Sequence, residues 1–412
     1  IQPVGEEKWG TRRLASNRLC MRSVPARLVS TSLCLSIGLL GTVVPPAVSS
    51  ARRSCPAPAT ARPCGLEVTA SVPVSDAGGL GQIEIAPDGK LAAVVQRDEG
   101  IVATLDIGRS GAPKVIGRFD DGAVNSFDGD LAFSHDGGFL FYARQTHQFS
   151  GDGIHVLDVS DPTEPAEVAY QPQGGTLRIA YYFDGAREWV ISLDAIHGLV
   201  INLFDRTTGQ LVPVHVDPLP LITKVGGPAS AGIVVDPDDP KLGVPLLYVA
   251  AGQGLDVFDL SDPVLPQKLG SWSEQGLADI EVVATPKGRT VYAASEYWFR
   301  ANTPAEIVVL DASSFDAIEE RSRWGLGRPP EEAWRVQGME YANGALYVAH
   351  STGGLMVLDG RGRTQASVAP PGKRNEAAGV QGSPYAMDVE VLRSAVLLTD
   401  AATGALTVLR RR

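Results

Sequence analysis

A short apolar motif that ends in aspartate recurs along the chain at nearly constant spacing, and this repeat constrains the fold more than any other feature. The Asp-ended copies close at Asp106, Asp158, Asp205, Asp259, Asp311 and Asp359, and a seventh copy, LTVLR, has Arg410 at that position. Successive copies are 52, 47, 54, 52, 48 and 51 residues apart. Such even spacing indicates one structural unit that is repeated seven times.

Each repeat contains further strand patterns in a fixed order. In the second repeat, the inner-strand segment DLAFSHDG at 130–137, with its Asp-Gly turn, is followed by a strand at 139–143 and the Asp-ended strand. Asp-Gly, Asn-Gly or Lys-Gly pairs at this point are typical of hairpins. A fourth strand, such as 113–119, closes most repeats. The sequence therefore predicts an all-β fold, a seven-bladed β-propeller of four-stranded antiparallel blades.

The two ends of the repeat array complement each other. The seventh repeat ends after its third strand, and a spare strand, LEVTASVPV at 66–74, precedes the first repeat. Because an unpaired strand edge invites aggregation, we expect this N-terminal strand to complete the last blade. The propeller is then expected to span residues 66–412.

The first 65 residues differ from the repeats. We interpret 1–51 as upstream sequence and a signal peptide, with a basic start after Met21, an apolar run at 28–44 and small residues up to Ala51. Cleavage there would leave a secreted, periplasmic or cell-surface protein without a stable membrane span; the alternative is a retained anchor. Residues 52–65 read as a flexible leader. Its Cys55 and Cys64 are expected to form a small disulfide loop, with two unpaired thiols as the alternative.

The charge of the chain limits its partners. The full sequence carries a net charge of −11, and without residues 1–51 it has 30 basic against 45 acidic residues, a net charge of −15. A chain this acidic repels nucleic acid and anionic lipid. We therefore expect an extracytoplasmic protein or a small ligand as partner, and a monomeric chain.

Two repeats contain a more specific signature, GIHVLDVSDPTEPAEVA at 153–169 and GLDVFDLSDPVLPQKLG at 254–270. They resemble the LVIVD repeat of exported bacterial and archaeal proteins. More broadly, the chain is similar to the YVTN and quinoprotein-amine-dehydrogenase-like seven-bladed propellers. The resemblance implies the fold and an extracytoplasmic location, but no single reaction, because these families host binding proteins, dehydrogenase subunits and lactonases. We interpret Asp161 and Asp262 of the Ser-Asp-Pro turns, like the repeated strand-end Asp, as structural.

The inner strand of each blade should line a central channel, and alternation places several carboxylates on the channel side. We expect five of them to converge there: Asp130, Asp279, Glu281, Asp388 and Glu390. Crowded carboxylates are costly unless a cation or shared protons offset them. A divalent cation such as Ca²⁺ suits oxygen ligands; the alternative is a hydrated acidic channel.

The connections between second and third strands should open on the face where the inner strands begin. The connection at 295–306 brings together Tyr297, Trp298 and Arg300, a combination that is common in binding hot spots. Three histidines lie in equivalent connections: His147, His197 and His350. The alternative for the aromatic side chains is that they cover the core of a neighbouring blade, and for each histidine an ordinary surface role.

No nucleophile elbow, phosphate loop or haem attachment motif is present in the sequence. We therefore expect an exported binding module that uses its loop-bearing face, with no certain cofactor. One alternative is a metal-dependent hydrolase of the lactonase type that uses the channel carboxylates. Another is an accessory subunit of a periplasmic redox complex.

Overall fold

A computed structural model of the chain describes residues 65–76, 78–108, 112–122, 126–146, 152–219, 231–251, 254–274, 276–295, 305–326, 336–351, 353–368 and 385–411. These residues form seven four-stranded antiparallel sheets, which confirms the predicted seven-bladed propeller. They also contain one short 3₁₀ helix, Phe315–Ala317. No helix in the described ranges has the length and apolar character that crossing a membrane requires.

The strands follow the chain from blade to blade. Blade 1 contains β2 (Leu80–Ile85), β3 (Leu91–Gln96), β4 (Ile101–Asp106) and β5 (Lys114–Asp120); blade 2 contains β6 (Ser126–Phe133), β7 (Phe139–Thr146), β8 (Gly153–Asp158) and β9 (Ala166–Pro172). Blade 3 contains β10 (Thr176–Phe183), β11 (Glu188–Asp194), β12 (Gly198–Asp205) and β13 (Gln210–Asp217); blade 4 contains β14 (Gly232–Asp236), β15 (Leu246–Ala251), β16 (Gly254–Asp259) and β17 (Gln267–Ser273). Blade 5 contains β18 (Leu277–Thr285), β19 (Gly288–Ser295), β20 (Glu306–Asp311) and β21 (Glu319–Gly325); blade 6 contains β22 (Gly338–Ala342), β23 (Ala345–Ala349), β24 (Leu355–Asp359) and β25 (Thr364–Val368). Blade 7 contains β26 (Ala386–Val391), β27 (Val396–Asp400), β28 (Ala405–Arg411) and, from the other end of the chain, β1 (Leu66–Pro73).

The N-terminal strand closes the ring, as the sequence predicts. Strand β1 pairs antiparallel with β28, from Leu66 opposite Arg411 to Pro73 opposite Ala405. The inner strand of blade 7, β26, packs against β2 of blade 1, and each other pair of neighbouring inner strands is also in contact. The outer edge of the last blade is therefore covered by a strand from the start of the propeller.

The aspartates that end the third strands have a structural role in every blade that contains one. Each carboxylate accepts a hydrogen bond from the main-chain N–H two residues later, at 2.7–2.9 Å, and the donors are Gly108, Ser160, Thr207, Ser261, Ser313 and Arg361. Asp161 and Asp262 cap the Ser-Asp-Pro turns in the same way. Asp recurs at these positions because its short side chain places a carboxylate oxygen where it can accept a hydrogen bond from a turn N–H.

The core of the propeller is divided among the seven contacts between neighbouring blades. Each hydrophobic cluster combines residues of two adjacent blades; one joins Phe141 and Val156 of blade 2 to Val190 and Phe204 of blade 3. Second strands are buried on both faces, which is why they read as continuous apolar runs such as ALYVA in β23. Deleting part of one blade would therefore expose the faces of both neighbours.

All inner strands begin on the same face of the ring, which we call the loop-bearing face. It carries the connections between second and third strands and the connections between blades. The strands that flank the longest intervals between consecutive strands, 218–231, 326–337 and 369–385, end and begin on this face. The opposite face carries shorter turns, such as 343–344. The differences in connection length between blades are therefore concentrated on one face, as is common where a rigid scaffold presents a binding surface.

Candidate functional site

The seven inner strands enclose a cavity of about 610 Å³, solvent space included. Its polar lining consists of Gln82, Glu84, Asp130, Arg178, Asp279, Glu281, Asp388 and Glu390. All five carboxylates that the sequence selected for the channel therefore lie around one cavity. Arg178 is the basic residue of this lining. Asp279 and Asp388 are both the third residue of their strands, so these two lie nearer the loop-bearing face, whereas Glu281 and Glu390 follow two residues later in the same strands.

Three of these aspartates also connect neighbouring blades. Each accepts a hydrogen bond from a main-chain N–H in the inner strand of the next blade: Ile179 donates to Asp130 at 2.8 Å, Met339 to Asp279 at 2.9 Å and Ile83 to Asp388 at 3.0 Å. Glu340 accepts a similar bond from the Val391 N–H. These carboxylates therefore hold the ring together at its axis, in addition to giving the channel its acidic character.

Burial changes the acidity of the channel. It raises the pKa of Asp279 to about 7, with Glu281 adding to the increase and Arg178 opposing it. Burial also raises the pKa of Asp388 well above its ordinary value, and the neighbouring Asp279 and Asp130 contribute in the same direction. Both shifts follow from placing carboxylates close together where water is scarce. At neutral pH the channel can therefore hold protons, or exchange them for another cation.

The predicted calcium site in the channel has a limited set of candidate ligands. Within the described ranges, no three His, Cys, Asp or Glu side chains are grouped so that they could hold a metal ion. In Asp130, Asp279 and Asp388, one carboxylate oxygen already accepts a hydrogen bond from the next blade. Metal binding by these residues stays a prediction.

The predicted loop histidines have different surroundings. His350 follows β23, is 1% exposed, and burial lowers its pKa to about 4, so that it is neutral at physiological pH. The His197 side chain is 53% exposed, and its Nδ1 lies 2.9 Å from Asp194 Oδ1. His197 is thus available to a partner, whereas His350 is part of the propeller interior.

The remaining sequence-selected residues lie outside the described residues. They are His147, Tyr297, Trp298 and Arg300, and the two cysteines Cys55 and Cys64. Their proposed roles stay predictions.

Sequence reasoning missed two buried polar groupings. On the loop-bearing face, Asp152 and Gln173 lie near Asp194, and both aspartates are 0% exposed. On the opposite side of the ring, Asp239 forms a buried ion pair with Arg289. The first grouping had a signal in the sequence, because Asp194 begins a five-residue motif, Asp-Ala-x-x-Gly, that recurs at Asp400.

Comparisons with known proteins agree with this architecture. A family model described as "LVIVD repeat" matches residues 148–170 and 246–273. Searching curated proteins by sequence finds no match.

Among solved structures, the β-propeller domain of Cps50 (Swd1) from Myceliophteria thermophila is 13% identical, with a TM-score of 0.56 over 84% of this chain and 99% of that one. Raptor from Chaetomium thermophilum is 14% identical, also with a TM-score of 0.56. The match covers 84% of this chain and 29% of the Raptor chain. At these identities the likeness concerns the fold. The chain is therefore a seven-bladed β-propeller that carries LVIVD repeats.

Proposed function

We propose that this propeller is an exported binding module whose loop-bearing face takes a positively charged ligand or a basic segment of a partner protein. The observation that carries the proposal is the convergence of six carboxylates on one cavity that the inner strands line, with Arg178 as the basic residue of the same lining. A low-dielectric wall around like charges concentrates their field at the mouth of the cavity. The net charge of −11 acts in the same direction at longer range.

The raised pKa values make a specific demand on such a ligand. A cation that enters the channel favours the ionised forms of Asp279 and Asp388, whose pKa values burial raises. Binding should therefore release protons, and affinity for a cation should rise between pH 5 and pH 8. A neutral ligand that contacts the face without entering the channel would show no such dependence.

Titration of the purified full chain with a polylysine peptide, and with a polyglutamate peptide of equal length, tests the charge preference. We expect the lysine peptide to bind at low ionic strength and the glutamate peptide not to bind. The double variant Glu281→Gln, Glu390→Gln should bind the lysine peptide roughly tenfold more weakly, which corresponds to about 1.4 kcal/mol of lost attraction. Glu164→Gln with Glu319→Gln is the matched control, because it removes two exposed acidic charges outside the cavity.

Two results would contradict the proposal. Equal binding of both peptides would exclude charge selection, and an unchanged affinity in the Glu281, Glu390 variant would exclude the channel. If the purified protein instead hydrolyses lactones, and the same variant abolishes that activity, the metal-dependent hydrolase becomes the better explanation.

Export is the part of the proposal that depends on the sequence at 21–51. Mass spectrometry of the secreted, non-reduced protein should find a chain that begins after Ala51 and contains a Cys55–Cys64 bridge. A mature chain that retains 21–51 would exclude the cleaved signal, and two free thiols would exclude the bridge.

A further inference from the structure

Where blades 2 and 3 meet on the loop-bearing face, three polar side chains from different segments lie close together. Asp152 precedes β8, Gln173 lies between β9 and β10, and Asp194 ends β11. Both aspartates are 0% exposed. None of the three belongs to the lining of the central cavity.

Each aspartate uses only one of its two carboxylate oxygens. Asp152 Oδ1 accepts hydrogen bonds from the Thr146 N–H at 2.8 Å and from the Thr146 hydroxyl at 2.6 Å. Asp194 Oδ1 accepts from the N–H groups of Ile196 and His197 at 2.9 and 2.7 Å. The Oδ2 atoms of both are buried and have no hydrogen-bond partner among the described residues. Buried carboxylate oxygens without partners are rare and require a physical explanation.

Gln173 joins the two aspartates. Its main-chain N–H donates to the Asp152 carbonyl oxygen at 3.0 Å. Its side-chain oxygen accepts from the hydroxyls of Thr176 at 3.0 Å and Ser192 at 3.1 Å, and Thr176 pairs with Asp194 across the β10–β11 ladder. Its Nε2 is buried and, among the described residues, has no partner.

The amide of Gln173 can also be placed with its oxygen and nitrogen exchanged. A hydroxyl can donate or accept, and the oxygen and nitrogen of an amide are assigned from their partners. Once turned, Nε2 donates to Thr176 and Ser192, and Oε1 takes the buried position where Nε2 has no partner among the described residues. The group then presents three oxygen donors from three segments.

The charges around this group are only partly balanced by the protein. Burial raises the pKa of Asp152, Asp194 adds to the increase, and Arg144 opposes it. The Arg144 guanidinium, however, lies 2.7 Å from Asp121 Oδ2. His197 Nδ1 contacts the other oxygen of Asp194, at 2.9 Å. A cation beside the two Oδ2 atoms would offset their mutual repulsion.

Blade 7 shows that the local turn does not cause the unused oxygen. Asp400 begins the same Asp-Ala-x-x-Gly motif, and its Oδ1 accepts from the N–H groups of Ala402 and Thr403, each at 2.8 Å. Its Oδ2 accepts from the Tyr385 N–H at 3.0 Å. The equivalent oxygen of Asp194 is left for something else.

We propose that Asp152, Gln173 and Asp194 form a binding site for a hard cation, Ca²⁺, that links blade 2 to blade 3 on the loop-bearing face. Carboxylate and amide oxygens are the donors that Ca²⁺ prefers, and it tolerates irregular geometry completed by main-chain oxygens and water. The cation would fasten the segment that precedes β8 to the end of β11. This site is separate from the channel carboxylates and does not depend on the charge preference proposed above.

Calcium titration of the chelator-treated, desalted full chain tests the site. Isothermal titration calorimetry should find one Ca²⁺ per chain, and thermal unfolding should move to higher temperature when CaCl₂ replaces an equal ionic strength of NaCl. Asp194→Asn should weaken Ca²⁺ binding by about 100-fold, since it removes a charged ligand. Asp400→Asn is the matched control, and its Ca²⁺ affinity should stay within about twofold of the parent, inside ordinary context effects.

Gln173→Leu provides a second variant in case Asp194→Asn does not fold, because it keeps both charges and removes only the amide donor. We expect it to weaken Ca²⁺ binding by about tenfold. Absence of Ca²⁺ binding to the folded parent, or an affinity unchanged by Asp194→Asn and Gln173→Leu, would overturn the proposal and leave an internal water or a shared proton as the explanation. Equal loss in Asp400→Asn would also overturn it, because that residue lies in another blade.

Discussion

Removing the N-terminal strand should destabilise the entire ring, although the strand lies outside the seven repeats. A chain that begins at Asp76 lacks β1 together with Val74, which is 1% exposed in the cluster between blades 7 and 1. It also lacks two hydrogen bonds, from the N–H groups of Val74 and Ser75 to the Gly404 carbonyl, each at 3.0 Å. The truncation therefore removes apolar contacts and hydrogen bonds from the same blade.

The expected magnitude follows from burial. Full burial of Val74 contributes about 2 kcal/mol, and the half-buried Leu66, Val68 and Val72 contribute about 1 kcal/mol each. The total, about 5 kcal/mol, is comparable to the whole stability of many domains. Truncation should also expose the edge of β28 and promote aggregation.

Urea unfolding of chains that begin at Gly65 and at Asp76 measures this effect, and the first chain is the control because it keeps β1. The matched point variants are Val72→Asp, on the inward face, and Ser71→Asp, on the exposed face. We expect Val72→Asp to cost about 2–3 kcal/mol and Ser71→Asp less than about 0.5 kcal/mol. Equal urea midpoints for the two truncated chains would refute the reasoning that β1 closes the ring.

Three further changes test the channel, the blade contacts and the loop-bearing face. Because the pKa of Asp279 is raised to about 7, its contribution to the free energy of unfolding is favourable in acid and is lost as the pH rises toward 7, by up to about 4 kcal/mol. Asp279→Asn should therefore reduce the difference between the urea midpoints at pH 5 and pH 8. An unchanged difference would contradict this. Arg289→Met leaves the 0% exposed Asp239 unpaired and should cost about 3–5 kcal/mol in chemical unfolding, whereas adding Asp239→Asn should recover part of the loss. Tyr297→Ala with Trp298→Ala should abolish partner capture while stability stays within about 1 kcal/mol of the parent; a large loss of stability with capture per folded molecule unchanged would mean that these side chains pack against the core.

The sequence specified the fold well because each blade repeats the same local chemistry. Asp106 and its equivalents accept a hydrogen bond from a turn N–H two residues later. Their positions in the sequence therefore mark where the third strands end. Alternation in β18 and β26 also placed Asp279 and Asp388 on the channel side. Alternation could not show that each aspartate accepts an N–H from the next blade. That bond depends on the register between neighbouring inner strands, and the bonded residues are 60 positions apart for Asp279 and 305 apart for Asp388. A local pattern carries no information about this register.

The two Asp-Ala-x-x-Gly motifs show where sequence reasoning about the candidate site ends. In both blades the second residue of the motif donates its N–H to the carbonyl that precedes the inner strand, from Ala195 to Gly175 and from Ala401 to Tyr385, each at 2.8 Å. Tyr385 then donates its own N–H to Asp400. Gly175 has a φ of 116°, which an L side chain rarely adopts. Its peptide is turned differently, and the Asp194 oxygen that corresponds to the acceptor of blade 7 has no such donor among the described residues. The difference between a completed turn and a candidate cation site therefore depends on one residue outside the motif, and its effect is visible only when both blades are compared in three dimensions.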